Sequence, residues 1–174
     1  MAKALLGKYR TETKDLSAQD LLRWAEQEFG VKDIALASSL GAEDQVLTDM
    51  LQKLDPHSRI FTLDTGRLPQ ETYDVMAETR KLYGLNYEVV FPDTAAVQLM
   101  EEEHGPNLFY ESVEARKLCC QIRKTGPLQK KLSGLKAWIC GLRRGQAVTR
   151  ERIERIEWEL VEETLKEQCN EEAM

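Results

Sequence analysis

Cysteine and histidine are scarce in this 174-residue chain. Its four cysteines have no regular spacing, which argues against a secreted disulfide framework. The two histidines, His57 after Asp55-Pro56 and His104 before Gly105-Pro106, sit in turn sequences. Neither joins a Ser/His/Asp order or a metal-ligand spacing, so neither receives a role. No apolar run approaches the roughly 20 residues of a membrane span. The apolar stretch in Met1 to Gly7 is too short for a signal peptide. These features predict a reducing, cytoplasmic protein with no membrane contact. The Walker A loop and the G-x-G-x-x-G dinucleotide turn are missing. So are helix-turn-helix, zinc-finger and aromatic RNA-binding motifs, which argues against nucleic acid.

Acidic residues are missing from one long block. From Arg116 to Arg150 there are ten Lys or Arg and no Asp or Glu. Such a block suits either an anionic ligand or a solvated basic face. The net charge of −6 comes entirely from residues 151–174, where nine Glu face Arg152, Arg155 and Lys166.

What is present is an alternation of strand and helix. Residues 1–16 read as a polar lead-in. Ser17 to Asp20 resembles an N-cap, with Leu21, Leu22, Ala25 and Phe29 on one face and Gly30 as the stop. Strands are expected at about Ile34 to Ala37, Arg59 to Leu63, Tyr87 to Phe91 and Ala137 to Cys140. Helices are expected from about Glu43 to Leu54, after Pro69 to Gly84, and from Thr94 to Glu103. A further helical region around Val113 to Ile122 should break at Gly126-Pro127 and resume to Leu132. The pattern predicts an α/β fold, a parallel twisted sheet with helices on both faces. Ligands of such sheets lie outside the carboxyl ends of the strands. Three polar loops leave those ends, Ser38 to Asp44, Asp64 to Arg67 and Gly141 to Arg150, and should meet at one crevice. The expected boundary is a nucleotide-binding domain over 1–158 and an acidic helical tail over 159–174.

Three motifs could carry chemistry. In Ser38-Ser39-Leu40-Gly41-Ala42-Glu43-Asp44 a strand passes through a polar loop into a helix N-terminus, which suits phosphate or sulfate. Glu43 and Asp44 would also serve as plain first-turn carboxylates. In Asp64-Thr65-Gly66-Arg67 the carboxylate could accept from a ribose hydroxyl and the guanidinium could clamp an oxyanion; a capped turn is the equal alternative. Cys119-Cys120 is flanked by Arg116, Lys117, Arg123 and Lys124, which favours reactivity or metal ligation. The alternative is a pair of small core residues. Cys140 reads as core, and Cys169, among acids, as a poor nucleophile.

Together these residues resemble the assimilatory adenylyl-sulfate and phosphoadenylyl-sulfate reductase family. The likeness rests on Ser38 to Asp44, Leu63-Asp64-Thr65-Gly66-Arg67-Leu68-Pro69-Gln70-Glu71-Thr72, Lys117-Leu118-Cys119-Cys120-Gln121-Ile122-Arg123-Lys124, Pro127-Leu128 and Trp138-Ile139-Cys140-Gly141-Leu142-Arg143-Arg144. It spans about residues 15–158. The resemblance implies an adenine-nucleotide α-hydrolase-like, PP-loop-related fold. It implies a phosphosulfate loop at Ser38 to Asp44 and nucleotide contacts from Asp64, Thr65, Gly66 and Arg67. It implies Lys124, Arg143 and Arg144 around the anion, and adenylyl sulfate or phosphoadenylyl sulfate as substrate. The tandem Cys119 and Cys120 resemble half the ligand set of a [4Fe–4S] cluster. The family completes that set with a downstream Cys-x-x-Cys pair. It attacks sulfur with a C-terminal cysteine, and thioredoxin then releases sulfite. The chain has no such second pair, so a truncated family member that binds without turnover is expected. A homo-oligomer is left open, as is a regulatory nucleotide-binding module whose acidic tail docks a partner.

Overall fold

The sheet is built outward from two short apolar strands. The computed structural model describes residues 2–146 and 152–157. In it, β1 (Ile34–Ala37) and β2 (Ile60–Leu63) are buried at their first three positions. The flanking strands β3 (Glu88–Val90) and β4 (Ala137–Ile139) are half-buried or exposed. The order is β3-β2-β1-β4 and every pairing is parallel. Strands buried on both faces need apolar residues at successive positions, and Ile34-Ala35-Leu36 supplies them.

Alternation divides those residues between two cores. Leu36 and Ile60 join Leu22, Leu51, Leu85 and Tyr87 on one face, with Val75 and Met76 packed against them. Leu22 comes from α2 (Ala18–Phe29), Leu51 from α3 (Ala42–Leu54), Val75 and Met76 from α4 (Gln70–Tyr83), and Leu85 and Tyr87 from the segment that follows α4. Ala35 and Phe61 meet Leu128 and Leu132 on the other face. Those two belong to α7 (Gly126–Leu132). A third cluster holds Met100, Leu108 and Cys119. It joins α5 (Thr94–His104) to α6 (Val113–Cys120) through a 3₁₀ turn at Leu108–Tyr110.

Two expectations are corrected. Residues 1–16 are no mere lead-in: α1 (Ala2–Thr13) is a helix. Tyr9 packs edge-on against Trp24 and Phe29, with centroids 5.1 and 5.8 Å away, and its hydroxyl donates to Glu28 at 2.7 Å. Nor does Gly126-Pro127 break the helix. A π turn at Gln121–Thr125 carries α6 into α7, and Gly126 keeps helical angles of −62° and −54°. Pro127 falls in the first turn of α7, where its missing N–H costs nothing. The acidic tail 159–174, Trp158 and Cys169 lie outside the described residues. Among the described residues no helix is long and apolar enough to cross a membrane.

One edge is fastened by charge. Glu88 on β3 accepts from Arg59 Nε at 2.6 Å and Nη2 at 2.9 Å, and also pairs with Lys131 of α7. Arg59, ahead of Lys131, pulls the Glu88 carboxyl down to about 2. A carboxyl lowered on folding contributes stability above its unfolded value of 4.5, and loses it as pH falls toward 2. Glu88→Gln should therefore cost about 1 kcal/mol at pH 7, discounted for partial exposure. In urea titrations the gap from wild type should close between pH 4.5 and 2; a gap constant with pH would contradict it.

Candidate nucleotide site

The parallel order has a reversal between β1 and β4, since the chain leaves β1 toward β2 and later returns to β1's other side. Clefts for ligands form at such reversals, beyond the strand carboxyl ends. A cavity of about 460 Å³ lies there. Residues of all three polar loops line it: Ser38, Ser39, Glu43 and Asp44 from the first, Thr65 from the second, Gly141 and Gln146 from the third. Lys124, from the π turn, adds a cation. Leu63, Leu68, Leu128 and Trp138 give one wall an apolar surface. The volume falls in the range of small-molecule sites, roughly 300–1,000 Å³.

Asp44 holds the first and third loops together. It is 6% exposed. Its Oδ2 accepts from Ser39 N and Ser39 Oγ, both at 2.7 Å. Its Oδ1 accepts from Gly141 N at 3.1 Å, across 97 residues of chain. A Cβ on Gly141 would collide with Asp44 Oδ1 and press on Glu43 Cβ at 3.1 Å. Only glycine allows this approach. The first-turn carboxylate that could be a simple cap is thus a tie between loops.

The loop itself turns through Leu40, which adopts φ +65° although it is not glycine. A left-handed leucine costs about 1–2 kcal/mol. The turn sends Leu40 into the core, while Ser38 and Ser39 face the cavity. The loop's amides are largely bonded within it: Leu40 N donates to Ser38 Oγ at 3.1 Å and Gly41 N to Ser39 Oγ at 3.3 Å. Ser38 Oγ accepts there, which leaves its proton to donate outward. Leu40, Gly41 and Ala42 do not line the cavity.

The second loop contributes Thr65 alone. Asp64 is buried and accepts from Gly66 N at 2.8 Å and Tyr73 Oη at 3.0 Å, so it shapes the turn. Burial, then this contact with Asp64, raises the Tyr73 hydroxyl above its usual range. Gly66 takes φ +76°. Arg67 points away, donating to Pro106 O at 2.6 Å and Asn107 Oδ1 at 3.2 Å, 4.7 Å over the Phe109 ring.

At least five of the basic block's ten cations are engaged within the protein. Arg123, Lys131 and Lys136 pair with Glu101, Glu88 and Asp33. Arg143 meets Glu43 Oε1 at 2.5 Å, and Arg144 donates to Ile153 O at 2.7 Å. Neither arginine lines the cavity. Glu43's own backbone N–H, then Arg143, keep the Glu43 carboxyl below its usual range. Cys140 is also corrected: β4 ends at Ile139, and Cys140 is exposed and lines the cavity. Trp138, Gln146 and Thr72 were not singled out individually from sequence, although Trp138 and Thr72 sit within the quoted motifs.

The tandem cysteines can be tested as a metal site. Cys119 is buried beside Met100 and Leu108, and Cys120 is half-buried. Among the described residues no three His, Cys, Asp or Glu gather as a metal site. Two thiols are half of what a [4Fe–4S] cluster needs, so the described residues do not fit one.

An open parallel α/β sheet with a polar strand-to-helix loop at its reversal defines the class of protein, one whose ligands lie beyond the strand carboxyl ends. Residues 33–166 match the phosphoadenosine phosphosulfate reductase domain, and the chain belongs to that family. It is 41% identical over 147 residues to adenosine 5'-phosphosulfate reductase of Allochromatium vinosum, covering 84% of this chain and 57% of that protein. It is 39% identical over 136 residues to adenosine 5'-phosphosulfate reductase 2 of Bacillus subtilis, covering 78% and 56%. The chain spans about half the length of the curated relatives it matches. The crystal structure of phosphoadenylyl-sulfate reductase from Candida auris, a phosphate complex, shares the fold. Its TM-score is 0.71 at 22% identity, over 97% of this chain and 85% of that one.

The Asp44 tie makes a coupled prediction. Asp44→Ala and Gly141→Ala should each destabilise by about 1–3 kcal/mol, the first by removing three hydrogen bonds to a charged acceptor and the second by collision. The double variant should fall short of their sum by at least about 0.5 kcal/mol, because removing the carboxylate makes room for the methyl. Urea midpoints of the four proteins check this; strict additivity would contradict it.

Proposed function

We propose that the cavity binds adenylyl sulfate, or phosphoadenylyl sulfate, as the nucleotide site of a sulfonucleotide reductase. The observation that carries this reading is the convergence of Ser38, Ser39 and Lys124 on one cavity with an apolar wall. The hydroxyls and the ammonium suit the phosphosulfate, and Leu63, Leu68, Leu128 and Trp138 suit the adenine. The names of the relatives agree with this substrate class.

The reaction served is two-electron reduction of adenylyl sulfate to sulfite and AMP, or of phosphoadenylyl sulfate to sulfite and adenosine bisphosphate, with thioredoxin as electron donor. Ser38 donates to the anion, Lys124 neutralises it, and Asp44 fixes both loops around it. Arg143 reaches the anion by leaving Glu43. A [4Fe–4S] cluster would take Cys119 and Cys120 and need two further ligands. The chain's thiols are Cys119, Cys120, Cys140 and Cys169, and none stands in the family's terminal nucleophile motif. For the chain as it stands, binding without turnover is the expected behaviour.

Titration calorimetry should show adenylyl sulfate and AMP binding at one site. Lys124→Met should weaken adenylyl sulfate about tenfold, the worth of one charge-assisted contact. No binding by the wild type would overturn the reading. Sustained sulfite release with reduced thioredoxin would overturn the claim of binding without turnover.

A further inference from the structure

Arg123 is the most buried cation recorded, at 7% exposure, and it does not line the cavity. It sits in the π turn, one residue before Lys124. Its Nη1 donates to Thr65 O at 2.9 Å, across 58 residues. Its Nη2 pairs with Glu101 of α5. The missing side chain of Gly66 makes room for it, since a Cβ there would lie 3.4 Å from Nη1. One planar guanidinium therefore pins the Thr65–Gly66 peptide to two helical segments.

This placement is costly. A buried guanidinium needs most of its donors satisfied, yet Arg123 Nε has no partner. A purely structural pair could be replaced by apolar packing at little loss. An arginine kept in place with an orphaned donor calls for what its fork alone provides, two fixed directions from one plane. Those directions run to Thr65, which lines the cavity, and to Glu101 of α5. Lys124, the adjacent residue, lines the same cavity.

We propose that Arg123 is a positioning residue: it sets the Thr65 loop against the Lys124 segment and so fixes the width of the nucleotide cavity. The proposal rests on the nucleotide reading above. Arg123 touches no ligand and acts through the Thr65 carbonyl. The part of the ligand it governs through Thr65 is the nucleoside; the anion is met by Ser38, Ser39 and Lys124, and Lys124 stays in the π turn when the Thr65 contact is lost.

The test compares the full chain with R123K and with R123M/E101Q, which removes the buried cation together with its half-exposed partner so that neither charge is left unpaired. AMP and inorganic phosphate are titrated separately by calorimetry, beside melting temperatures. R123M/E101Q should bind AMP about tenfold more weakly, while phosphate affinity stays within about twofold. R123K, which keeps the charge but not the fork, should recover part of the AMP affinity. A folded R123M/E101Q with wild-type AMP affinity would overturn the proposal. So would equal losses for AMP and phosphate with a lowered melting temperature, which is what a merely structural role produces. Failure of the wild type to bind AMP would instead overturn the nucleotide reading, and this proposal with it.

Discussion

The carboxylate of Asp44 is the contact on which the site depends. Two loops separated by 97 residues meet at its two oxygens. Without it, the part-buried contacts of Ser39 N and Gly141 N would lose a charged acceptor, a loss of about 1.5 kcal/mol each. The contact also explains two oddities. Gly141 has no side chain because the carboxylate occupies its place. Leu40 accepts a left-handed backbone because its side chain then reaches the core while both serines face the cavity. Backbone strain held by packing on one side and hydrogen bonds on the other is typical of binding loops.

Charge is arranged as a second framework around this clamp. The acid-free segment does not present its cations as an open field. Arg123, Lys131, Lys136 and Arg143 each find a carboxylate on another element. They fasten α5, β3, the β1 approach and the anion loop respectively. Among the described residues of the block, Lys124 is the cation that lines the cavity. A low-dielectric crevice needs few charges to hold an anion, because each acts more strongly there than in water.

Much of the architecture was legible locally. Ile34-Ala35-Leu36 read as a strand and Asp55-Pro56 as the end of α3, and both are so in the structure. The loop leaving β1 stood out because serines and a glycine follow an apolar strand. Other features were hidden because their signal is distributed. The helix α1 escaped notice because its inward face is Tyr9 and Thr13, neither a strong apolar marker. It is held by aromatic edges from α2, which periodicity within residues 1–16 does not reveal. Gly126-Pro127 reads as a break in isolation, and the preceding π turn absorbs it. Cys140 reads as core by its strand, but β4 is an edge that stops one residue earlier.

Residue type and spacing determined the strand–helix alternation, the parallel sheet and the loops that would face a ligand. Those are short-range properties, fixed by turn chemistry and alternating burial. Which side chains enter the cavity was decided by long-range pairing. Asp64 and Arg67 looked like ligands, yet one is taken by Tyr73 and the other by Pro106 and Asn107. Asp44 looked like a helix cap and became the tie between loops. A donor or carboxylate has the same chemistry wherever it stands; its role follows from the partner that the fold brings within 3 Å or so of it.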